Sequence, residues 1–109
     1  SYIPKVRYKD VIVAYEPVWA IGDSAKRVAT DNEFIEMKIF IQKIISDLTN
    51  RKTADEVAII YGGSADDNNM HSFLQAGARG FLAGRASHDP VVFAKMIDQV
   101  IEYAKNAKR

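Results

Sequence analysis

Three short runs of apolar residues, without polar alternation, divide the chain into repeating units. The runs cover residues 11–15, 57–61 and 80–83. Continuous apolar runs of this length are typical of parallel strands that are covered on both faces. Each run is followed by a loop and then by a stretch with helical periodicity. Strand, loop and helix repeated in this order predict right-handed crossovers and a parallel sheet, so the predicted fold class is α/β.

The first helical stretch begins at a strong start signal. Thr30 and Glu33 have the spacing of a capping box, in which each side chain bonds the backbone N–H of the other residue. Apolar residues then recur at three- and four-residue intervals, which predicts an amphipathic helix ending near Asn50. The apolar positions of this helix are Phe34, Met37, Ile41, Ile44, Ile45 and Leu48.

The second and third helical stretches also have boundary signals. Asp66 or Asp67 can cap a shorter helix, and Gly77 supplies the left-handed residue that stops it. Asp89 followed by Pro90 predicts an N-cap and a first-turn proline for the last helix. That helix has an apolar stripe, typical of a face that packs on the core, made of Phe93, Ile97, Val100 and Ile101.

One carboxylate stands at the end of the first apolar run. Glu16 is followed at once by Pro17, and the residue before a proline favours extended geometry, so Glu16 is expected at the tip of a strand. Tyr15, Val18 and Trp19 surround it in sequence and are expected to desolvate it partly. A desolvated carboxylate is a stronger proton acceptor, so the pattern predicts a general base. A lone glutamate after a strand can also be an ordinary solvated loop residue.

Two glycines and a serine, Gly62, Gly63 and Ser64, follow the second run. Glycine is the default residue where a turn needs positive φ, so this segment can be a simple strand-to-helix turn. Paired glycines also leave backbone N–H groups bare, which suits an anion bound in a concave nest. The residues alone leave both interpretations open.

Length, composition and charge narrow the class of protein. With 109 residues, about half of them apolar, the chain (1–109) is expected to form one domain around one modest core. Fifteen basic residues face fourteen acidic ones, and no basic stripe predicts binding to nucleic acid or to a membrane surface. Cysteine is absent, and the first residues resemble neither a signal peptide nor a transmembrane span. A cytoplasmic protein is therefore expected.

Three motifs together resemble one known family. They are AYEPVWAIG at residues 14–22, YGGS at residues 61–64 and GFLAG at residues 80–84. In this order they closely resemble the C-terminal part of triosephosphate isomerase, and the resemblance extends from Asp10 over nearly the whole remaining chain. It implies about three of the eight units of a closed (β/α)8 barrel, with the active site at the carboxyl ends of the strands. Periodicity alone suits an open doubly wound sheet equally well.

The resemblance implies a reaction and a set of site residues. Glu16 would be the catalytic base that interconverts dihydroxyacetone phosphate and glyceraldehyde 3-phosphate through an enediolate, without a metal or an organic cofactor. Backbone amides of Gly22, Ser64 and Gly84 would bind the phosphate. Residues 17–29 would form a lid that closes over the substrate.

The same resemblance implies the parts of that lid. Pro17, Val18 and Trp19 would form its first hinge, where Trp19 is expected to act mainly by packing. Ala29 would lie at the second hinge. Tyr61 would hold the closed lid by a hydrogen bond.

The sequence departs from the family pattern in two places. Residues 22–29 lack the second lid glycine that the family usually has, and the lid is about two residues longer. After the third strand the family usually has two glycines, whereas this chain has Gly84 and Arg85. Arg85 can still donate its backbone N–H, and its guanidinium is a good phosphate partner. Arg85 is therefore kept as a predicted phosphate contact.

A complete barrel needs about 250 residues, so this chain supplies roughly three of eight units. No residue matches the family's lysine near the end of the first strand or its histidine near the end of the fourth. His71 and His88 are expected to be ordinary surface residues. These 109 residues alone are therefore expected to be inactive, and to self-associate or require the missing half.

The expected partner of the complete enzyme is another copy of itself, as a homodimer. The alternative is a non-catalytic half-barrel, either structural or phosphate-binding, or one subunit of a split barrel. The intact Glu16 and the intact lid-hinge residues favour the enzyme, whereas the altered lid and Arg85 favour the alternative.

Overall fold

A computed structural model of the chain describes residues 3–17 and 29–107. These residues contain a parallel three-stranded sheet in which the strands follow their order along the chain. The strands are β1 (Ile12–Tyr15), β2 (Ala58–Gly63) and β3 (Phe81–Ala83). The sheet and the helices between its strands confirm the predicted α/β fold.

The register of the sheet brings the carboxyl ends of the strands to one edge. Tyr15 lies opposite Tyr61, and Tyr61 lies opposite Phe81. β2 extends two residues beyond the predicted run, so Gly62 and Gly63 still belong to the strand. The segments that follow the three strands therefore begin side by side.

Within the described residues, four α-helices and two 3₁₀ segments flank the strands. The helices are α1 (Asp31–Leu48), α2 (Arg51–Glu56), α3 (Met70–Gln75) and α4 (Pro90–Ala107), and the 3₁₀ segments are Lys5–Asp10 and Arg85–His88. None of these described helices combines the length and the apolar character that crossing a membrane requires.

The predicted capping box of α1 is confirmed. Glu33 N–H donates to Thr30 Oγ1 at 3.1 Å, and Thr30 N–H donates to Glu33 Oε1 at 2.9 Å. The helix ends at Leu48, near Asn50 as predicted, and Asn50 is then the N-cap of a second, unpredicted helix, α2. Asn50 Oδ1 accepts a hydrogen bond from Thr53 N–H at 2.8 Å. An asparagine here satisfies a first-turn N–H group, so the chain starts a second helix.

The predicted stop of α3 is present, but its predicted cap is not. Asn69 is the N-cap residue, without a side-chain hydrogen bond to the helix. Asp66 instead caps the turn before the helix, because its Oδ1 accepts hydrogen bonds from Asn68 N–H at 2.9 Å and Asn69 N–H at 3.1 Å. The capped turn leads directly into α3. Gly77 has a φ of 100°, which confirms the predicted left-handed stop.

The helices pack against one face of the sheet and form the core there. The core includes Phe34, Ile59, Tyr61, Met70, Phe73 and Met96. On the opposite face, Ile12 is 65% exposed and Leu82 is 45% exposed. The prediction of strands covered on both faces is therefore wrong for the described residues. Alternate side chains of each strand point away from the helices, and they are apolar nonetheless.

The last helix uses a different face for packing than predicted. Its start is as predicted, because Asp89 Oδ1 accepts a hydrogen bond from Val91 N–H at 3.0 Å. Met96 is buried and Val92 is partly buried against the core. The predicted stripe is instead 37 to 48% exposed and lines a groove of about 210 Å³ beside β3; it contains Phe93, Ile97, Val100 and Ile101. The helix is apolar on two faces, so periodicity did not identify the one that packs.

Candidate functional site

A cleft of about 890 Å³ opens at the carboxyl edge of the sheet. It is lined by the residue after β1, the end of β2 with its following turn, and the end of β3 with the 3₁₀ segment. The lining residues are Glu16, Gly62, Gly63, Ser64, Ala65, Asp66, Asp67, Asn68, Leu82, Ala83, Gly84, Arg85, Ala86 and Val92. Four predicted site residues thus surround one space: Glu16, Ser64, Gly84 and Arg85.

Glu16 crosses the edge of β2 at Gly62. A Cβ atom on Gly62 would lie 2.7 Å from Glu16 Cγ, 3.4 Å from Glu16 Cδ and 3.2 Å from Leu82 Cδ1. Non-bonded carbon atoms pack at roughly 3.5 to 4.0 Å. Only a glycine therefore fits beneath the glutamate in this position, and the missing side chain of Gly62 makes the space that Glu16 occupies.

Glu16 is exposed, which differs from the expected partial desolvation. Tyr15 was expected to shield it, but Tyr15 packs against the core on the other face of the sheet. Successive side chains of a strand point to opposite faces, so these two neighbours in sequence are separated by the sheet itself.

Three predicted lid and phosphate residues, Val18, Trp19 and Gly22, lie outside the described residues. The two ends of the predicted lid are described. Pro17 is buried directly after Glu16. Ala29 is also buried, 4% exposed, and belongs to the hydrophobic core.

Tyr61 lies in an aromatic cluster under the cleft. Its ring stacks on Phe73 with centroids 4.1 Å apart and meets Phe34 edge to face at 6.1 Å. A Cβ atom on Gly63 would collide with the Tyr61 hydroxyl and would lie 2.6 Å from Tyr61 Cζ. Gly63 therefore makes room for the tyrosine, as Gly62 makes room for the glutamate.

The Tyr61 hydroxyl is fully buried and has no hydrogen-bond partner within the described part of the chain. Burial raises the pKa of Tyr61 above its ordinary value, because the phenolate would lose its hydration. The backbone amide of Ala29 lies close enough to the hydroxyl to lower the pKa, although it makes no hydrogen bond of regular geometry with it, whereas the nearby Tyr15 and Glu33 raise the pKa further. The end of the predicted lid therefore lies beside this unpaired hydroxyl.

The turn after β2 is fixed by hydrogen bonds of its own. Ala65 N–H donates to the Gly63 carbonyl at 2.8 Å. Asn69 Nδ2 donates to the Ser64 carbonyl at 2.7 Å, and Asn69 Oδ1 accepts from Asp66 N–H at 2.9 Å. The sequence did not single out Asn69, because it stands among several polar residues without a motif of its own.

The turn after β3 places Gly84 and Arg85 in the lining of the cleft. A Cβ atom on Gly84 would meet no described atom within 4 Å, so local packing does not require a glycine there. Ser87 Oγ donates to the Gly84 carbonyl at 2.6 Å. Arg85 is exposed and follows Gly84 at the start of the 3₁₀ segment.

The histidines lie apart from the cleft lining. His71 and His88 are both exposed, which confirms that they are surface residues. His71 meets Tyr103 edge to face at 6.3 Å. Over residues 3–17 and 29–107, no three histidine, aspartate or glutamate side chains come together as a possible metal site.

Comparison with known proteins identifies relatives of the chain. The family model described as Triosephosphate isomerase matches residues 2–100. The Triosephosphate isomerase of Chlamydia abortus is 39% identical over 88 residues, which are 80% of this chain and 34% of that protein. The same enzyme of Dictyostelium discoideum is 41% identical over 88 residues, 80% of this chain and 33% of that protein. That of Entamoeba histolytica is 37% identical over 101 residues, 92% of this chain and 38% of that protein.

The chain spans about a third of the length of these relatives. The family model nevertheless matches nearly all of the chain itself, including Glu16, the glycines that end β2 and the turn after β3. On this match, the chain belongs to the triosephosphate isomerase family.

Proposed function

We propose that this chain forms the part of a triosephosphate isomerase that supplies the catalytic base and two phosphate-binding turns. The complete enzyme interconverts dihydroxyacetone phosphate and glyceraldehyde 3-phosphate as an aldose–ketose isomerase. The observation that carries the proposal is the position of Glu16 over Gly62, beside a cleft lined by the turns after β2 and β3. The family relation supports a triose phosphate as the substrate.

Glu16 is the proposed base. Its carboxylate takes a proton from C1 of dihydroxyacetone phosphate, the C–H electron pair becomes the C1–C2 double bond, and the carbonyl oxygen receives the negative charge. The carboxylic acid then returns the proton to C2, which gives the aldehyde once the hydroxyl proton has moved between the two oxygens. This scheme uses neither a metal ion nor an organic cofactor.

The phosphate group is proposed to lie between the two turns. Backbone amides of Gly22, Ser64 and Gly84 would donate hydrogen bonds to its oxygens. Arg85 would add its backbone N–H and its guanidinium, whose planar donors suit a phosphate. The position of Ser64, Gly84 and Arg85 around one cleft supports this assignment.

The segment between Pro17 and Ala29 is proposed to act as a lid, with Val18 and Trp19 in its first hinge. Closure excludes water from the reacting carbons and protects the enediolate from losing phosphate. Tyr61 is proposed as the latch. Its buried, unpaired hydroxyl beside the Ala29 amide supports this role, because a hydrogen bond formed on closure would satisfy a group that is costly to leave unpaired.

The activity belongs to a complete barrel, of which residues 1–109 are proposed to form part of a single domain. No residue of the chain matches the family's lysine or its histidine, which would stabilise the oxyanion and move the hydroxyl proton. Such electrostatic contributions are usually the largest in catalysis. A homodimer and a cytoplasmic location belong to the same proposal and rest on the family resemblance.

A second candidate is a half-barrel that binds phosphate or pairs with another polypeptide without catalysing the reaction. The exposed apolar sheet face favours it, because Ile12 and Leu82 lack a cover within the described residues. A barrel completed with the first five units of a family relative separates the two candidates. Turnover that depends on Glu16 supports the enzyme, whereas phosphate binding without turnover supports the second candidate.

The test of the enzyme compares two substitutions in that completed barrel. Glu16→Gln removes proton transfer but keeps shape, so kcat should fall by about a thousandfold or more while the affinity for inorganic phosphate stays constant. Ser64→Pro removes an amide donor to a dianion. It should lower phosphate affinity by roughly ten- to a hundredfold, about 1.5 to 3 kcal/mol. A matching circular dichroism spectrum is required before either value is interpreted.

Arg85→Gly tests the departure from the family pattern. If the guanidinium binds phosphate, affinity should fall; a rise would mean that the arginine only occupies a place that suits glycine. An equal loss of kcat and of phosphate affinity in the Glu16, Ser64 and Arg85 variants would show that the assigned roles are wrong.

A further inference from the structure

The described lining of the cleft carries more acidic than basic side chains. The carboxylates of Glu16, Asp66 and Asp67 lie there together with one cationic group, the guanidinium of Arg85. Like charges in a cleft repel an incoming anion, and the proposed function requires a phosphate dianion to bind in this space. A second cationic group beside one of the carboxylates would offset part of this repulsion.

The last helix, α4, supplies such a group. Lys95 Nζ lies 3.9 Å from Asp67 Oδ2, and Lys95 is not among the described residues that line the cleft. The side chain of Asp67 is only 20% exposed. Water screens a partly buried carboxylate less than an exposed one, so its charge acts more strongly on its surroundings. We propose that Lys95 is a positioning residue that holds and neutralises the Asp67 carboxylate, and so raises the affinity of the cleft for a phosphate dianion.

Gln99 supports this ion pair from the same helix. Its Nε2 donates to the Asp67 carbonyl at 2.6 Å. Residues four apart lie on one face of a helix, so α4 contacts Asp67 through its side chain at Lys95 and through its main chain at Gln99. The main-chain bond limits where the Asp67 carboxylate can move, which keeps it within reach of the ammonium group. The ion pair therefore belongs to the packing of α4 against the turn after β2.

The two neighbouring aspartates are compensated differently. Asp66 Oδ1 accepts hydrogen bonds from the backbone N–H groups of Asn68 and Asn69. Such dipoles stabilise a carboxylate but leave its full negative charge in place. Asp67 is instead paired with a full positive charge, which acts on an anion in the cleft as well. The inference rests on the proposed function, because only an anionic ligand would sense this difference.

The test titrates the full chain, in the associated state it adopts in solution, with inorganic phosphate while NMR follows the backbone amides. Lys95→Gln removes the positive charge and should weaken phosphate binding about two- to fivefold, as a partly exposed ion pair implies. Asp67→Asn removes the negative charge and should strengthen binding by a similar factor. The double variant should bind phosphate about as well as the unaltered chain. Lys95→Arg keeps the charge and should preserve the affinity.

Lys43 and Asp47 provide a matched control pair. Lys43 Nζ lies 3.1 Å from Asp47 Oδ2 in the last turns of α1. There Ile45 packs with Val57, directly before β2, so this pair lies toward the amino edge of the sheet, away from the cleft. Lys43→Gln and Asp47→Asn change the net charge of the chain by the same amounts, and they should leave the phosphate affinity unchanged.

Salt separates an electrostatic effect from a structural one. Raising the NaCl concentration from about 0.01 M to about 1 M shortens the screening length from roughly 30 Å to 3 Å. The ratio of phosphate affinities between the unaltered chain and Lys95→Gln should therefore approach one. A ratio that stays constant would mean that the substitution disturbs the turn itself, and it would overturn the inference.

The outcomes distinguish this inference from the proposed function. If phosphate shifts no amide of the unaltered chain, the proposed phosphate site fails and the inference fails with it. If the unaltered chain binds phosphate but Lys95→Gln and Lys43→Gln bind it equally, the phosphate site stands and the inference alone is overturned. Weaker phosphate binding by Asp67→Asn would also overturn it, and this variant provides the test even where Lys95→Gln does not fold.

Discussion

Gly62→Ala should reduce catalysis in the completed barrel by displacing Glu16. The new Cβ would lie 2.7 Å from Glu16 Cγ, and an ordinary carbon contact is about 1 Å longer. Among the described residues only Gly77 has a positive φ, so Gly62 does not. Its backbone conformation is therefore one that alanine can adopt. The glutamate must therefore move by roughly 1 Å, and a misplacement of that size can lower a rate by about a hundredfold.

The fold should tolerate the same substitution. Overpacking costs about 1 to 3 kcal/mol where side chains cannot move. Glu16 is exposed and can rotate away, so we expect a stability loss at the low end of this range. Steady-state kinetics should show kcat about a hundredfold lower, while inorganic phosphate binds with unchanged affinity, because the proposed amide donors lie on other residues.

Gly80→Ala provides the control for adding a methyl group to a glycine beside this sheet. Its Cβ would lie 3.0 Å from Ile60 Cγ2, and within 4 Å it would meet Ile60 rather than the glutamate, so kcat should stay near the unaltered value. A kcat for Gly62→Ala within about threefold of the unaltered protein would refute the argument that Gly62 holds Glu16 in place. A parallel loss of phosphate affinity would refute the separation of the base from the phosphate turns.

Three further predictions concern the chain itself. The 109-residue polypeptide should show no isomerase turnover above the buffer rate in a coupled assay, and a rate that disappears on Glu16→Asp would contradict this. It should also self-associate through its exposed apolar faces, so a monomer of 12.2 kDa with a cooperative melt in sedimentation and thermal unfolding would show this to be wrong. Because the pKa of Tyr61 is raised, the folded chain keeps this proton after the unfolded chain loses it, and the free energy of unfolding should fall as pH rises above about 10. The Tyr61→Phe variant should lose this pH-dependent component of the free energy of unfolding. At pH 7 its free energy of unfolding should be unchanged or higher by up to about 1 kcal/mol, because the substitution removes a buried unpaired hydroxyl. Clear destabilisation of the variant at pH 7 would contradict this prediction.

Local chemistry made much of the fold predictable. The Thr30 capping box, the left-handed Gly77 and the Asp89 cap each depend on residues within a few positions of one another, and all three are present. The parallel sheet was predictable for a similar reason, because its apolar runs alternate regularly with helical stretches. α2 was missed because Asn50 can follow one helix as readily as it can cap the next.

Packing direction was not predictable from periodicity. α4 presents Met96 to the core, whereas its second apolar face, including Phe93 and Ile97, lies along the open groove beside β3. A helix with two apolar faces gives one periodic pattern, and only the position of the sheet decides which face is covered. The strands show the same ambiguity, since their outward residues are as apolar as those in the core.

At the candidate site, contacts between residues that are far apart in the chain could not be predicted from the sequence. Glu16 could be proposed from its neighbours, because a carboxylate before a proline at the end of an apolar run is a local pattern. Its expected shielding by Tyr15 was wrong, since adjacent residues of a strand face opposite ways.

The residue that defines the position of Glu16 is Gly62, which is distant in the chain and adjacent only because β1 and β2 pair in register. From the sequence, Gly62 was interpreted as part of a turn or an anion nest; in the folded chain it is a strand residue whose missing side chain leaves room for the glutamate. Substituting this glycine therefore tests the proposed catalytic geometry while keeping every proposed catalytic group in the protein.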